Sequence, residues 1–291
     1  MSVLSEMYRL APDSLCAVFI LDDSRDTRCV LNSFRQFSRE TGVPIRVLSR
    51  KSDLKEGIAE FSPDLCIVVG WYWIVNADLL SIVREGWLGI HGSLLPKYRG
   101  GSPLVWAIIN GETESGVTLF YFDEGMDTGD IVAQKSFPIG GDETIRDILD
   151  RIESRSIEII RQAYPALVAG RVSRVPQDHS QATYAAPRSV ADGKVDWSWR
   201  GTHIYNFVRA QTHPYPGAFC FMPSGEILRI WKAGAFPYPY HGPPGKVVMV
   251  KEDHAVVTCG GGTALILQVV QVQDHGEQDA AAVLKFGMVL A

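Results

Sequence analysis

Residues 87–130 read WLGIHGSLLPKYRGGSPLVWAIINGETESGVTLFYFDEGMDTGD, and their texture passes from strand to loop to helix to strand and back to loop. The apolar run 86–91, opened by Gly86 and closed by His91, predicts a short buried strand, because an apolar run bounded by glycine suits a strand covered on both faces. Side chains alternate along it, so Gly89 and His91 share a face. Pro96, Gly100, Gly101 and Pro103 punctuate the next stretch and forbid a helix at its start. Pro103 then suits the first turn of a helix over 104–110, which Gly111 stops. The run VTLFYF, 117–122, is β-branched and aromatic and predicts a second strand. That strand delivers residues 123–130 into a tight loop rich in Gly and Asp. Ligands of an open α/β sheet bind outside the carboxyl ends of its strands, so His91 and the aspartate loop are expected to emerge together at that edge.

Outward from this stretch the same alternation continues. Strands are expected over 15–21, 45–48 and 65–70, and helices over 27–41 and 53–61. In the first of those helices Val30, Leu31, Phe34 and Phe37 line one face and Gly42 stops it. Such alternation predicts an α/β domain with a Rossmann-like, mostly parallel sheet covered by helices on both faces. An amphipathic helix is expected over 144–163, kinked or ended by Pro165. Residues 170–181, rich in Ser, Pro and Arg, read as a linker. Past a helix through 203–210, short strand-like runs at 228–231, 246–250, 255–259 and 264–272, separated by glycine and proline, predict a small OB-like β-barrel. The expected division is a catalytic domain over 1–181 and a C-terminal domain over 182–291.

Composition narrows the class. Hydrophobic residues make up 46% and charged residues 21% of the 291, ordinary globular usage that excludes a disordered chain. A net charge of −5 argues against a dedicated nucleic-acid surface. Residues 200–291 carry seven basic side chains and six acidic ones, a net of +1, where a domain gripping tRNA would neutralise several phosphates. The five cysteines, Cys16, Cys29, Cys66, Cys220 and Cys259, are scattered without CxxC spacing, which predicts reduced thiols in a cytoplasmic protein rather than disulfides or zinc. No run approaches the roughly 18 apolar residues of a membrane span, and no basic-then-apolar leader is recognisable.

A histidine at a strand end, or an aspartate in a glycine-rich turn, is ordinary when taken alone. Together, HGSLLPKYRGGSP (91–103) and DEGMDTGDI (123–131) resemble the signature of the formyltransferases that use 10-formyltetrahydrofolate. That family includes methionyl-tRNA formyltransferase, glycinamide ribonucleotide formyltransferase, nucleotide-sugar N-formyltransferases and the hydrolase domain of formyltetrahydrofolate dehydrogenase. The resemblance covers residues 65–133 most closely. PYPGAF (214–219) with the tail beyond it resembles the C-terminal domain of the methionyl-tRNA and sugar members.

The resemblance implies that His91 is the catalytic histidine and Asp127 its carboxylate partner. It implies a folate pocket lined by Ser93, Leu94, Leu95 and Pro96, with the backbone around Asp123, Glu124 and Gly125 holding the pterin. Neither a metal nor a metal-ligand spacing is expected. Trp71 and Tyr72, just past the strand over 65–70, and Arg99 are candidates for binding the substrate, since aromatic faces offer rigid contact area. By the same resemblance an amine attacks the formyl carbon, His91 stabilises the oxygen that gains charge, and Asp127 favours the charged imidazole and takes up the amine's proton through water.

Two departures stand out. Many members carry asparagine two residues before the histidine, usually read as a donor to the oxyanion, and here that position is Gly89. Members also begin with one more strand and a glycine-rich turn, where residues 1–10 predict the following helix instead. The expected acceptor is the amino group of a nucleotide-linked amino sugar, with methionyl-tRNA formyltransferase or formyltetrahydrofolate hydrolase as alternatives. A homodimer is left open.

Overall fold

The computed structural model describes residues 1–22, 30–71 and 73–291. The start of the helix expected over 27–41, and the candidate Tyr72, therefore lie outside the described residues. The chain divides into two compact units: Met1–Arg99 with Gly116–Ser136 and Ile152–Tyr184, and Gly100–Ser115 with Phe137–Arg151 and Ala185–Ala291.

In the first unit β1 (Val18–Leu21) pairs in parallel with β2 (Ile45–Leu48), as two strands of one small sheet. A second sheet has the order β3 (Cys66–Val68), β4 (Trp87–His91), then the strand Glu114–Tyr121 and the strand Ile131–Pro138. With the short β5 (Arg99–Gly100) between them in sequence, those last two are β6 and β7. The helices Leu31–Thr41 and Lys51–Phe61 end where expected, and Ser2–Leu10 is helical as well. Leu21, Leu48, Leu54, Ile58, Leu79, Val83 and Trp87 form the core that supports β4, and each such side chain buried stabilises the fold by about 1.5–3 kcal/mol. The Trp87 indole N–H is satisfied by the Leu79 carbonyl at 2.9 Å.

Strand direction corrects one expectation. β3 and β4 run parallel, but β4 and β6 are antiparallel, with Leu88 opposite Tyr121 and His91 opposite Thr118. The aspartate loop thus leaves β6 at the end beside Leu88, away from the carboxyl end of β4 that carries His91. It must turn back to reach the histidine.

Two further expectations are corrected. The long helix runs Ile145–Val168, so Pro165 lies inside it and does not end it. Ala163, Tyr164 and Leu167 around it are buried while Pro165 itself is exposed, so packing holds the last turns and water can satisfy the carbonyl that lost its donor. Residues 170–181 are no linker: Val175 and Ile131 exchange backbone hydrogen bonds at 2.8 and 2.9 Å, and Gln177 is 6% exposed.

The second unit holds the C-terminal antiparallel sheet. After β8 (Tyr184–Ala185) come β9 (Ala218–Phe221), β10 (Ile227–Ala235), β11 (Val247–Lys251), β12 (His254–Cys259), β13 (Thr263–Val272) and β14 (Gln278–Asp279). Their order is β11-β12-β13-β10-β9, with β14 beside β13. The helix Gly201–Arg209 buries Ile204, Phe207 and Val208. Cys220 and Cys259 are buried and unpaired, and burial pushes both thiols up to about 12. No helix among the described residues is long and apolar enough to cross a membrane.

Candidate active site

His91 closes β4 and is 9% exposed. Its Nε2 lies 2.8 Å from the carbonyl oxygen of Tyr98, and its Nδ1 lies 3.6 Å from Asp127 Oδ2, an ion-pair separation rather than a direct hydrogen bond. A carbonyl only accepts, so Nε2 carries the hydrogen and Nδ1 is the nitrogen presented to the carboxylate. The expected His91–Asp127 pair is thus brought together.

Both oxygens that flank the ring come from strained backbone. Tyr98 has φ +56° and Asp127 φ +53°, two of the five non-glycine residues with positive φ among the described residues. Such conformations cost about 1–3 kcal/mol and persist where the surroundings hold them. The return of the loop also needs glycine at 129, because a Cβ there would collide with the Tyr121 carbonyl oxygen.

Gly89 has a structural counterpart. A Cβ at this position would overlap the Phe122 ring, and Phe120 lies close as well. The Phe120 and Phe122 rings are 5.3 Å apart, and Phe120 meets the His91 ring edge-on at 6.3 Å. Where an asparagine side chain would begin, this chain has an aromatic face.

The loop after His91 is pinned from below. Thr118 Oγ1 donates to the Ser93 carbonyl at 2.7 Å and accepts from Leu95 N–H at 3.1 Å. Gln134 Nε2 donates to the Leu95 carbonyl at 2.7 Å and to Thr118 Oγ1 at 2.9 Å. Ser93 Oγ donates to the Lys97 carbonyl at 2.6 Å. Ser93 and Leu95 are accordingly 2% and 3% exposed, while Leu94 and Pro96 are half-buried. Of the four residues expected to line a pocket, two face into the fold. On the other loop, Asp123 Oδ1 accepts from Gly125 N–H at 3.0 Å and from Thr128 Oγ1 at 2.5 Å, and Asp123, Glu124 and Gly125 are exposed. Asp123 thus makes an Asx turn.

Trp71 stands at the carboxyl edge of the parallel pair β3 and β4, edge-on to Trp73 at 5.5 Å and packed on the core. Its indole N–H is buried without a hydrogen-bond partner. Arg99, expected at the substrate, is 1% exposed; its guanidinium is bonded to Gln177, His179 and the Tyr184 hydroxyl and belongs to the interior. Sequence reasoning missed Tyr98, Thr118, Gln134 and Gln177. Tyr98 acts through its backbone carbonyl, and Thr118, Gln134 and Gln177 each act through a single polar side chain, which no periodicity marks.

With this geometry in hand, relatives can be compared. Residues 33–164 match the formyl transferase family and residues 188–286 match the formyl transferase C-terminal domain. The methionyl-tRNA formyltransferase of Geotalea uraniireducens is 39% identical over 77% of this chain and 71% of its own length. Among solved structures, the N-formyltransferase from Helicobacter canadensis, in complex with folinic acid and dTDP-3-aminofucose, aligns over 91% of this chain and 94% of its own, with TM-score 0.67 and 20% identity. HypX from Aquifex aeolicus aligns over 92% of this chain with TM-score 0.65 and 21% identity, and this chain spans 48% of its length. An α/β domain with a histidine and a carboxylate paired beside a glycine-rich loop is the architecture of a one-carbon transferase. The chain belongs to the formyl transferase family, whose members take the formyl group from a formyltetrahydrofolate, and it is a formyltransferase.

The residues fit such a donor. The orphaned Trp71 N–H lies at the strand edge where His91 ends β4, and it suits a ligand rich in acceptor atoms, as a reduced pterin is. The turn 123–125 is exposed.

Proposed function

We propose that this chain transfers the formyl group of 10-formyltetrahydrofolate to a primary amine, the amino group of a nucleotide-linked amino sugar. The observation that carries the chemistry is the His91–Asp127 pair at 3.6 Å. Bound at this site, 10-formyltetrahydrofolate supplies an electrophilic formyl carbon. The Nε2–H that the Tyr98 carbonyl holds in place is the donor that an oxygen gaining negative charge would share. Nδ1 accepts the proton released by the attacking amine, Asp127 pairs with the resulting cation, and that proton passes to N10 of the donor as its bond to the formyl carbon breaks and tetrahydrofolate leaves. Leu94 and Pro96 face the donor, and Trp71 N–H binds it. Asp123, Glu124 and Gly125 form the rim that holds the pterin through backbone groups.

Charge supports the choice of acceptor. The +1 balance of residues 200–291 is poor in cations for tRNA, and one of the seven basic residues, Arg209, is only 7% exposed. Its guanidinium donates to the carbonyls of Gly140 and Glu143 at 3.1 and 2.7 Å, which removes it from any phosphate. Methionyl-tRNA is the second reading, favoured by the names of relatives at 34–39% identity. Hydrolysis without an acceptor is a third, favoured by Gly89.

Tetrahydrofolate release is the measurement, with nucleotide-linked 3-amino and 4-amino sugars and methionyl-tRNA as competing acceptors. Release with an amino sugar and none with methionyl-tRNA is the expected result. Transfer to methionyl-tRNA alone overturns the acceptor, and equal formate release without any amine assigns a hydrolase.

A further inference from the structure

We infer that the segment 177–183 is the positioning element of the His91–Asp127 pair, with Gln177 and Thr183 as its two grips and Arg99 as the residue that orients Gln177. The inference rests on the reading of His91 and Asp127 as the reacting pair.

Gln177 is 6% exposed, and both ends of its amide are in use. Nε2 donates to the carbonyls of Asp127 and Gly129, at 2.8 and 2.7 Å. Oε1 accepts from Arg99 Nε and Nη2, at 3.2 and 2.6 Å. The partners themselves settle which end is which, since carbonyls demand a donor and a guanidinium demands an acceptor. The doubly held stretch from 127 to 129 includes the strained residue whose carboxylate meets His91 Nδ1.

Six residues further along, Thr183 holds the other side of the ring. Its Oγ1 accepts from Tyr98 N–H at 2.9 Å, its carbonyl accepts from Arg99 N–H at 2.9 Å, and its own N–H donates to the Pro96 carbonyl at 3.3 Å. Tyr98 is the second strained residue, and its carbonyl meets His91 Nε2. One stretch of chain thus holds the backbone of both residues whose oxygens face the ring nitrogens, and it reaches them from residues distant in sequence.

Glutamine is the side chain the site requires. Glutamate would keep the acceptor for Arg99 but turn a carboxylate oxygen toward two carbonyls. Lysine or arginine would donate to those carbonyls but face the Arg99 guanidinium with a like charge. Only a primary amide gives two hydrogens on one side and an acceptor on the other at this length.

The test uses the full chain carrying Gln177→Glu, which retains the Arg99 contact and removes both donations, and Thr183→Val, which deletes one acceptor and keeps the shape. Turnover is followed with 10-formyltetrahydrofolate and a nucleotide-linked 4-amino sugar as probes. The ring 15N signals of His91 are read in histidine-labelled protein without ligand and assigned with His91→Gln. The expected result for Q177E is a fall in kcat of about 10- to 100-fold with KM for the folate within about threefold, since misplacement near 1 Å has that effect. Its His91 Nδ1 signal moves, whereas T183V moves the Nε2 signal. Unchanged ring signals in both variants, or kcat within about twofold of wild type in both, overturn the inference; if Q177E does not fold, T183V decides alone. Should His91→Gln itself leave turnover intact, the catalytic reading fails separately, and the ring signals still decide whether the segment positions the pair.

Discussion

The strands that surround His91 and the strands of the C-terminal sheet both bury apolar side chains, Leu88, Val117 and Leu119 among the former at 0% exposure, but they differ in the polar groups buried beside them. Around β4 and β6 the interior contains His91, Ser93, Arg99, Thr118 and Gln177, each hydrogen-bonded to a named partner. In β9–β13 it is Leu228, Ile230, Val247, Val256, Leu265 and Leu267, all at 0% exposure, with Thr258 as the buried polar side chain of those strands. A satisfied polar network specifies geometry and adds little net stability, whereas buried apolar surface stabilises without aiming any atom. Both sheets therefore stabilise the fold through apolar burial, and the first adds hydrogen bonds that aim particular groups.

The comparison breaks most sharply at His91. His91→Gln is expected to reduce turnover about 10³-fold while the unfolding midpoint stays in place, because a general acid–base and its oxyanion contact vanish from a pocket that keeps its packing. A large fall in thermal stability instead would make His91 a structural residue. The converse is Ile230→Ala, which should cost about 2–5 kcal/mol in chemical denaturation and leave the kcat of the folded fraction unaltered.

Gly89→Asn sharpens the contrast inside the first unit. The new side chain must displace the Phe122 ring, so a loss of about 2 kcal/mol is expected together with no gain in turnover. In the double variant with Phe122→Ala the stability loss should shrink; strict additivity of the two changes would show that they do not share the space. Thr118→Val should lose about 1–2 kcal/mol, since the Leu95 N–H and the Gln134 amide each lose an acceptor. Unfolding in urea measures it, and an unaltered midpoint would detach the 93–96 loop from β6.

The smallest effect concerns acid. Glu6 is buried, and hydrogen bonds from Arg9 and Arg161 hold its carboxyl at about 2, below the ordinary 4.5. A value lowered in the folded state gives stability that is full above the ordinary value and is lost as pH falls from there through about 2. Both arginines are largely exposed, so the contribution is modest. Thermal melts of Glu6→Gln should therefore lie below wild type at neutral pH and converge on it near pH 2; parallel curves at all pH values would remove the linkage.

Much of the local structure of both units can be read from the chain. The run 45–48, the strand ending at His91 and the helix opened by Pro103 lie where periodicity, glycine and proline put them. The histidine and aspartate themselves were legible because their loops carry a recognisable pattern. The burial of Arg99, a candidate for binding the substrate, is not legible in the sequence, because it depends on Gln177, 78 residues away. That Pro165 does not end its helix has a related reason, since the packing of Tyr164 and Leu167 outweighs one lost hydrogen bond.

By itself, then, the sequence determined the elements, the family and the two groups that face each other at the site, because each is encoded by neighbours along the chain. Tertiary structure decided the antiparallel placement of β6, the aromatic ring above Gly89 and the attachment of Asp127 to Gln177 across 50 residues. Those depend on which surfaces and hydrogen-bonding groups meet in space, and a local pattern contains no record of its distant partner.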